Sequence, residues 1–205
     1  YLLSQIFVII SFYYVFKFSN EIFNNKVLAL ISVLLIEAIY FYNFTTPEFN
    51  VNVCQLPFWS LTVFYSWKIY ISREIKFLDC FLVGIFAAFG FLSKYLFIYL
   101  LVSIDLLFIY LIFFKKERKF DFKYLITLEV FLVVLVPHFI WLFNNDFVTS
   151  TYGLARTGIE QSSFIDHIKF PVIFFLKQMG ILIPFLILSW LLVKKIKLNL
   201  KFKDK

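Results

Sequence analysis

The sequence predicts an all-α, polytopic bundle of membrane-spanning helices, and three observations carry that expectation. Of the 205 residues, 62% are hydrophobic and 16% are charged, whereas soluble domains run at about half apolar and about a quarter charged. The apolar residues are gathered into blocks separated by short polar knots. Each block approaches the length of about 20 residues that crosses a ~30 Å hydrocarbon core at ~1.5 Å per residue. The mean hydropathy of +0.87 expresses the same excess. The 31 Phe, beside plentiful Ile, Lys and Asn and only five Gly, read as A/T-rich coding and not as an aromatic binding surface.

Seven spans are expected, at 1–16, 27–43, 55–71, 78–93, 95–114, 124–143 and 170–193. The first starts at Tyr1, already inside an apolar run and without an initiator Met. The chain is therefore expected to be a fragment of a longer protein, and nothing at its start has the form of a cleavable signal peptide. The second span leads into a polar loop, Thr45 to Asn52. The third is the weakest because Lys68 lies near its end, where a lysine snorkels to the interface. The fourth and fifth form one nearly unbroken apolar stretch over 77–114. A single helix of that length would reach ~57 Å, so the chain must turn back, and Ser93-Lys94 is the polar place to do so. The sixth contains Pro137, which frees a carbonyl for a neighbour to satisfy. The seventh runs into a lysine-rich tail. No Gly/Ser linker or internal repeat divides the chain, so 1–205 is expected to form one membrane domain.

Orientation follows from the basic residues. Alternate connections hold Lys17 and Lys26, then Lys68, Arg73 and Lys76, then Lys115, Lys116, Arg118, Lys119 and Lys123. With the tail lysines these make sixteen of the twenty on one side, which is expected to be cytoplasmic. Tyr1 is then outside and Lys205 inside, in the inner (plasma) membrane. The net charge of +7 is thus a topology signal and a contact with anionic membrane lipids, and nucleic acid is not an expected partner. The outer face displays the loop 45–52, the turn Ser93-Lys94-Tyr95 and the segment 144–169.

A lysine and a carboxylate at the outer edge of a helical bundle suit a phosphate-bearing lipid. Lys94 offers a compact charge with three donors, and Glu48 an acceptor or general base. The plainer alternative stays open: Lys94 tips a hairpin, and Glu48 sits in a wet loop. Glu37, Asp105, Glu129 and Lys177 fall within apolar spans, where a charge is either structurally paired or functional. His138 reads as a packing residue, His167 has no metal-spaced partner, and Cys54 and Cys80 fix no disulfide framework. There is no nucleophile elbow, phosphate loop or zinc motif.

Three segments together carry a resemblance. The stretch from Tyr40 to Asn52, with Thr46-Pro47-Glu48-Phe49-Asn50-Val51-Asn52 at its end, resembles the second outer loop of bacterial glycosyltransferase family 39 proteins. These belong to the GT-C class, related to protein mannosyltransferases. Gly90-Phe91-Leu92-Ser93-Lys94-Tyr95 is similar to their hairpin, and Pro137-His138-Phe139-Ile140-Trp141-Leu142-Phe143-Asn144-Asn145-Asp146-Phe147 to their exit into an outer loop. The resemblance implies an inverting enzyme. It would pass a sugar from a polyprenyl-phosphate donor to a lipid, glycan or protein acceptor on the non-cytoplasmic face. It assigns catalytic roles to Glu48 and Lys94, Lys94 with Arg156 stabilising the phosphate leaving group. It assigns substrate binding to Asn50, Asn52, His138, Asp146 and Arg156. An acidic site with oxygen ligands would suit Mg²⁺ or Mn²⁺, though no cofactor is fixed by one carboxylate. The family's essential Asp lies in a first outer loop that precedes this chain. A transporter or flippase of a lipid-linked sugar and a non-catalytic membrane scaffold are the competing classes. Transporters tend to show repeated halves and broken helices, and neither a repeat nor abundant Gly is present here.

Overall fold

The computed structural model describes residues 1–43, 46–156 and 165–195, and among them there is helix, turn and loop but no strand. Helix α1 (Leu2–Phe23) ends where Asn24 takes a left-handed conformation, φ 48°, with its N–H bonded to the Asn20 carbonyl. Asn25 then starts α2 (Lys26–Glu37) by accepting from the N–H groups of Val27 and Leu28. Two consecutive asparagines thus make the reversal, one tolerating the left-handed turn and one capping the next helix. After a break at Ala38-Ile39 the chain makes one more turn, α3 (Tyr40–Asn43).

Asn50 caps α4 (Val51–Ile71), accepting from Asn52 N at 2.9 Å and Val53 N at 3.2 Å. Helix α5 (Phe77–Ser93) follows, and Lys94 is the extended residue that ends it. A 3-10 turn, Tyr95–Phe97, leads into α6 (Ile98–Ile109), which widens into a π-turn over Tyr110–Phe114. Then come α7 (Lys123–Asn144), α8 (Val148–Arg156) and α9 (Asp166–Lys195).

The expected count of seven spans is corrected. Among the described residues, four helical stretches are long and apolar enough to cross a membrane: Leu2–Phe23, Tyr95–Phe114, Lys123–Asn144 and Ile165–Leu192. Phe77–Ser93 is a shorter apolar helix that brings the count toward five. A helix stands at every expected position, but two of them fail for different reasons. The second is broken, leaving α2 with 12 residues, about 18 Å of helix. Helix α4 has the length, at 21 residues, but carries Asn52, Gln55, Ser60, Thr62, Ser66 and Lys68. It is also enclosed by its neighbours, with nine buried residues and with α1 and α5 packed on it. Polar side chains in a membrane bundle face its interior, so an enclosed helix needs less hydropathy than one that meets lipid. Residues that read as a charge inside a span now sit on exposed surface: Asp105 in α6, Glu129 in α7, Lys177 in α9 and Glu37 at the end of α2.

The chain forms two compact units, divided between Val134 and Leu135. In the first, Val8, Val53 and Leu56 gather Phe7, Phe12 and Tyr42 around them. A second cluster joins Ile69, Ile75, Cys80 and Val83 with Tyr65, Phe108, Tyr124 and Ile126. Small residues let the helices close up. Ser4, Ser11 and Ser19 are buried on α1, and a Cβ on Gly84 would lie 2.7 Å from the Thr127 carbonyl oxygen of α7. The second unit holds the end of α7, α8 and α9, where Asp146 and Phe147 are both left-handed, φ 49° and 53°. Asp tolerates that conformation far better than Phe.

Candidate functional site

Helix α4 divides the polar chemistry of the first unit between two ends, about 30 Å apart along its 21 residues. At its N-terminal end, the Lys94 ammonium donates to Asn52 Oδ1 at 2.7 Å. Both side chains are half-buried. Next to them Ser93 Oγ lies 3.3 Å from Cys54 Sγ. The Ser93 hydroxyl proton is already committed to the Phe89 carbonyl at 2.7 Å, so the Cys54 thiol donates to Ser93. Two side-chain bonds therefore tie the first turn of α4 to the last residues of α5.

The hairpin that presents Lys94 is closely packed for a reason the sequence did not reveal. Phe97 folds back so that its ring lies against Gly90, where a Cβ would come within 2.4 Å of the ring tip. Phe97 is fully buried, and Trp59 meets it edge-to-face at 5.4 Å. Only a residue without a side chain permits that approach. Gly90 was visible as part of a motif, but Phe97 looked like one more apolar residue among 31.

The other outer-loop residues have distinct places. Asn50 holds its side-chain oxygen on the N-terminal N–H groups of α4, so that atom serves the helix. Glu48 is exposed and, among the described residues, makes no hydrogen bond or ion pair. Thr46 is buried and bonds the Asn43 carbonyl at 2.8 Å, which closes the loop that carries Glu48. No group of three or more His, Cys, Asp or Glu side chains that could hold a metal occurs among the described residues.

His138, Asp146 and Arg156 belong to the second unit. His138 is half-buried and stacks on Trp141 at 6.1 Å and 14°. Asp146 is exposed at the left-handed turn after α7, and Arg156 ends α8. The adjoining segment 157–164 lies outside the described residues.

The opposite end of the first unit is basic. Arg118 donates to the carbonyls of Tyr70 and Ser72 and lies over the Tyr70 ring at 5.3 Å. Lys123 donates to the Ile75 carbonyl at 2.9 Å. Lys68 pairs with Glu21 at 3.1 Å, and Lys17 sits over the rings of Tyr13, Tyr14 and Phe64. Glu117 bonds Lys115 at 3.2 Å and raises the pKa of its ammonium above the usual lysine value. The alternation of basic knots along the sequence becomes, in space, one basic end and one end holding Glu48, Asn52 and Lys94.

A family model described as dolichyl-phosphate-mannose-protein mannosyltransferase matches residues 1–141. No curated protein and no solved structure matches the chain.

Proposed function

The chain belongs to the dolichyl-phosphate-mannose-protein mannosyltransferase family and is a membrane glycosyltransferase of the GT-C type; on that premise we propose that it takes its sugar from a polyprenyl-phosphate carrier at the Lys94 end. The acceptor, a lipid, glycan or protein, meets the donor there. That end faces away from the cytoplasm, in the plasma membrane, because the opposite end carries the basic residues that remain inside.

One observation supports the reading above the others: the 2.7 Å bond from Lys94 to Asn52. It joins the hairpin lysine to the first turn of α4, four residues after Glu48, across 42 residues of sequence. The Lys94 ammonium has no carboxylate partner among the described residues, so its charge is available to a phosphate. The amide oxygen of Asn52 is a neutral acceptor that an anionic oxygen displaces readily, since charge-assisted bonds are about twice as strong as neutral ones. In the reaction the glycosidic C–O bond to the phosphate breaks with its electron pair on the phosphate oxygen. Lys94 stabilises that developing charge. The acceptor hydroxyl oxygen attacks the same carbon from the opposite face and forms the new C–O bond, while Glu48, four residues before Asn52, takes its proton. Asn52 and Asn50 border the sugar.

Lys94→Gln in the membrane-inserted protein tests the proposal. A lysine that only wets a turn accepts Gln within ~0.5 kcal/mol. A phosphate-binding lysine loses ~1.5–3 kcal/mol, about ten- to a hundredfold in transfer rate or donor affinity. The expected result is that larger loss with normal membrane insertion. Parental transfer by a properly inserted Lys94→Gln protein rules the phosphate role out.

A further inference from the structure

A cleft of about 540 Å³ opens at the basic end, between the α4–α5 link and the segment joining α6 to α7. Its size falls in the usual range for small-ligand sites, ~300–1,000 Å³. Four cations line it: Arg73, Arg118, Lys119 and Lys123. None of the four is ion-paired to a carboxylate among the described residues. Arg118 and Lys123 are held by backbone carbonyls, which fixes their positions without neutralising their charge. Arg73 and Lys119 are exposed.

Three carboxylates, Glu74, Glu117 and Asp121, also line the cleft beside the four cations. Glu117 is occupied by Lys115, which lies outside the cleft lining. Asp121 accepts the backbone N–H of Lys123 at the start of α7. An anion entering the cleft therefore meets cations with no salt bridge to break. Beside them stand Phe120 and Phe122, 51% and 78% exposed and edge-to-face at 5.6 Å. The two rings stand immediately before the spanning helix α7 and leave apolar surface beside the cations. A soluble anion has no use for them, and a lipid does.

We propose that this cleft binds the phosphate headgroup of an anionic membrane phospholipid, with Arg73 and Lys119 as the ligand-facing cations. The phosphodiester takes charge-assisted bonds from those two side chains, and Phe120 and Phe122 lie along its acyl chains. The site is separate from the sugar-transfer end, and it stands or falls independently of that reaction.

The test is the thermal stability of the purified full-length protein in a neutral detergent. Phosphatidylglycerol, phosphatidylcholine and inorganic phosphate are titrated in separate arms. Phosphatidylglycerol is expected to raise Tm at concentrations where phosphatidylcholine and inorganic phosphate do not. Arg73→Gln with Lys119→Gln should weaken the apparent affinity for phosphatidylglycerol by ~tenfold or more. Lys26→Gln with Lys76→Gln removes the same charge outside the cleft and should leave that affinity within about twofold of the parent. Equal protection by phosphatidylcholine overturns the proposal. So does an equal loss in both double variants, which would mean diffuse attraction to the whole basic end. Equal protection by inorganic phosphate also overturns it, because the ligand would then be a free anion. Both cleft positions are exposed, and Lys119→Gln alone carries the test if the double variant has a lowered Tm without lipid.

Discussion

The two ends of the first unit are held by different kinds of hydrogen bond. At the Lys94 end the ties run from side chain to side chain: Lys94 to Asn52, Cys54 to Ser93, and Trp59 to Gln55. At the basic end, beside the Lys68–Glu21 ion pair, they run from side chain to backbone: Arg118 to the carbonyls of Tyr70 and Ser72, Lys123 to Ile75, and Thr127 to Cys80. A bond between two side chains can be exchanged for a bond to a ligand by turning one rotamer. A bond to a backbone carbonyl fastens the chain itself, and at Tyr70 it satisfies a carbonyl of the last turn of α4 that has no partner within the helix. The Lys94 end is thus built to exchange partners, and the basic end is built to clasp three segments together.

The coarsest way to break this comparison is to ask which end faces out. A membrane-impermeant maleimide applied to intact cells should label Glu48→Cys fully and Lys116→Cys negligibly, in a background with Cys54 and Cys80 replaced by Ser. Both positions are exposed. The reverse labelling pattern would place the exchangeable end in the cytoplasm and remove the proposed site from the outer face.

Gly90→Ala comes next in size. The added Cβ would press on Phe97 at 2.4 Å, and Phe97 is fully buried against Trp59, so it has little room to yield. Overpacking of this kind costs ~1–3 kcal/mol, read as a lowered Tm in detergent. The hairpin that presents Lys94 moves with it, so transfer should fall as well. Adding Phe97→Leu, which removes the ring tip, should restore much of the Tm. No recovery in the double variant would show that the Gly90–Phe97 contact does not set the hairpin.

Arg118→Ala sharpens the comparison from the other side. It removes two charge-assisted bonds, to the Tyr70 carbonyl of α4 and the Ser72 carbonyl just after it, and the stacking on Tyr70. About 1–2 kcal/mol is expected, the low part of the range because the grip is half-exposed and water replaces part of it. The loss should appear in Tm, with donor KM unchanged within about twofold. A raised donor KM at parental Tm would mean that the basic end takes part in donor binding, and the division of labour between the ends would fail.

Much of this arrangement was legible in the sequence. Apolar blocks placed a helix at each expected position, because the cost of exposing a backbone in hydrocarbon leaves few alternatives to a helix. The alternation of lysines and arginines foretold that Lys17, Lys68, Arg73, Arg118 and Lys123 would share one end of the first unit, since each knot is separated from the next by an even number of expected spans. The three polar segments resembling family 39 proteins pointed to the family that residues 1–141 match. The number of crossings was not legible, because hydropathy reports a helix's composition and not what surrounds it. Helix α4 is polar for a span and yet is the enclosed centre of the first unit.

What the sequence by itself determined is therefore the class of structure and which polar residues share an end, both consequences of one-dimensional patterns: block length and charge alternation. What only the tertiary structure decided is partnership. Nothing in the chain order announces that Asn52 accepts from Lys94, that Cys54 donates to Ser93, that Phe97 needs Gly90, or that Arg118 reaches back 48 residues to Tyr70. Each of these pairings depends on how separate segments lie side by side, α4 against α5 for the first two, which is fixed by the volumes of the residues packed between them and leaves no periodic trace in the sequence.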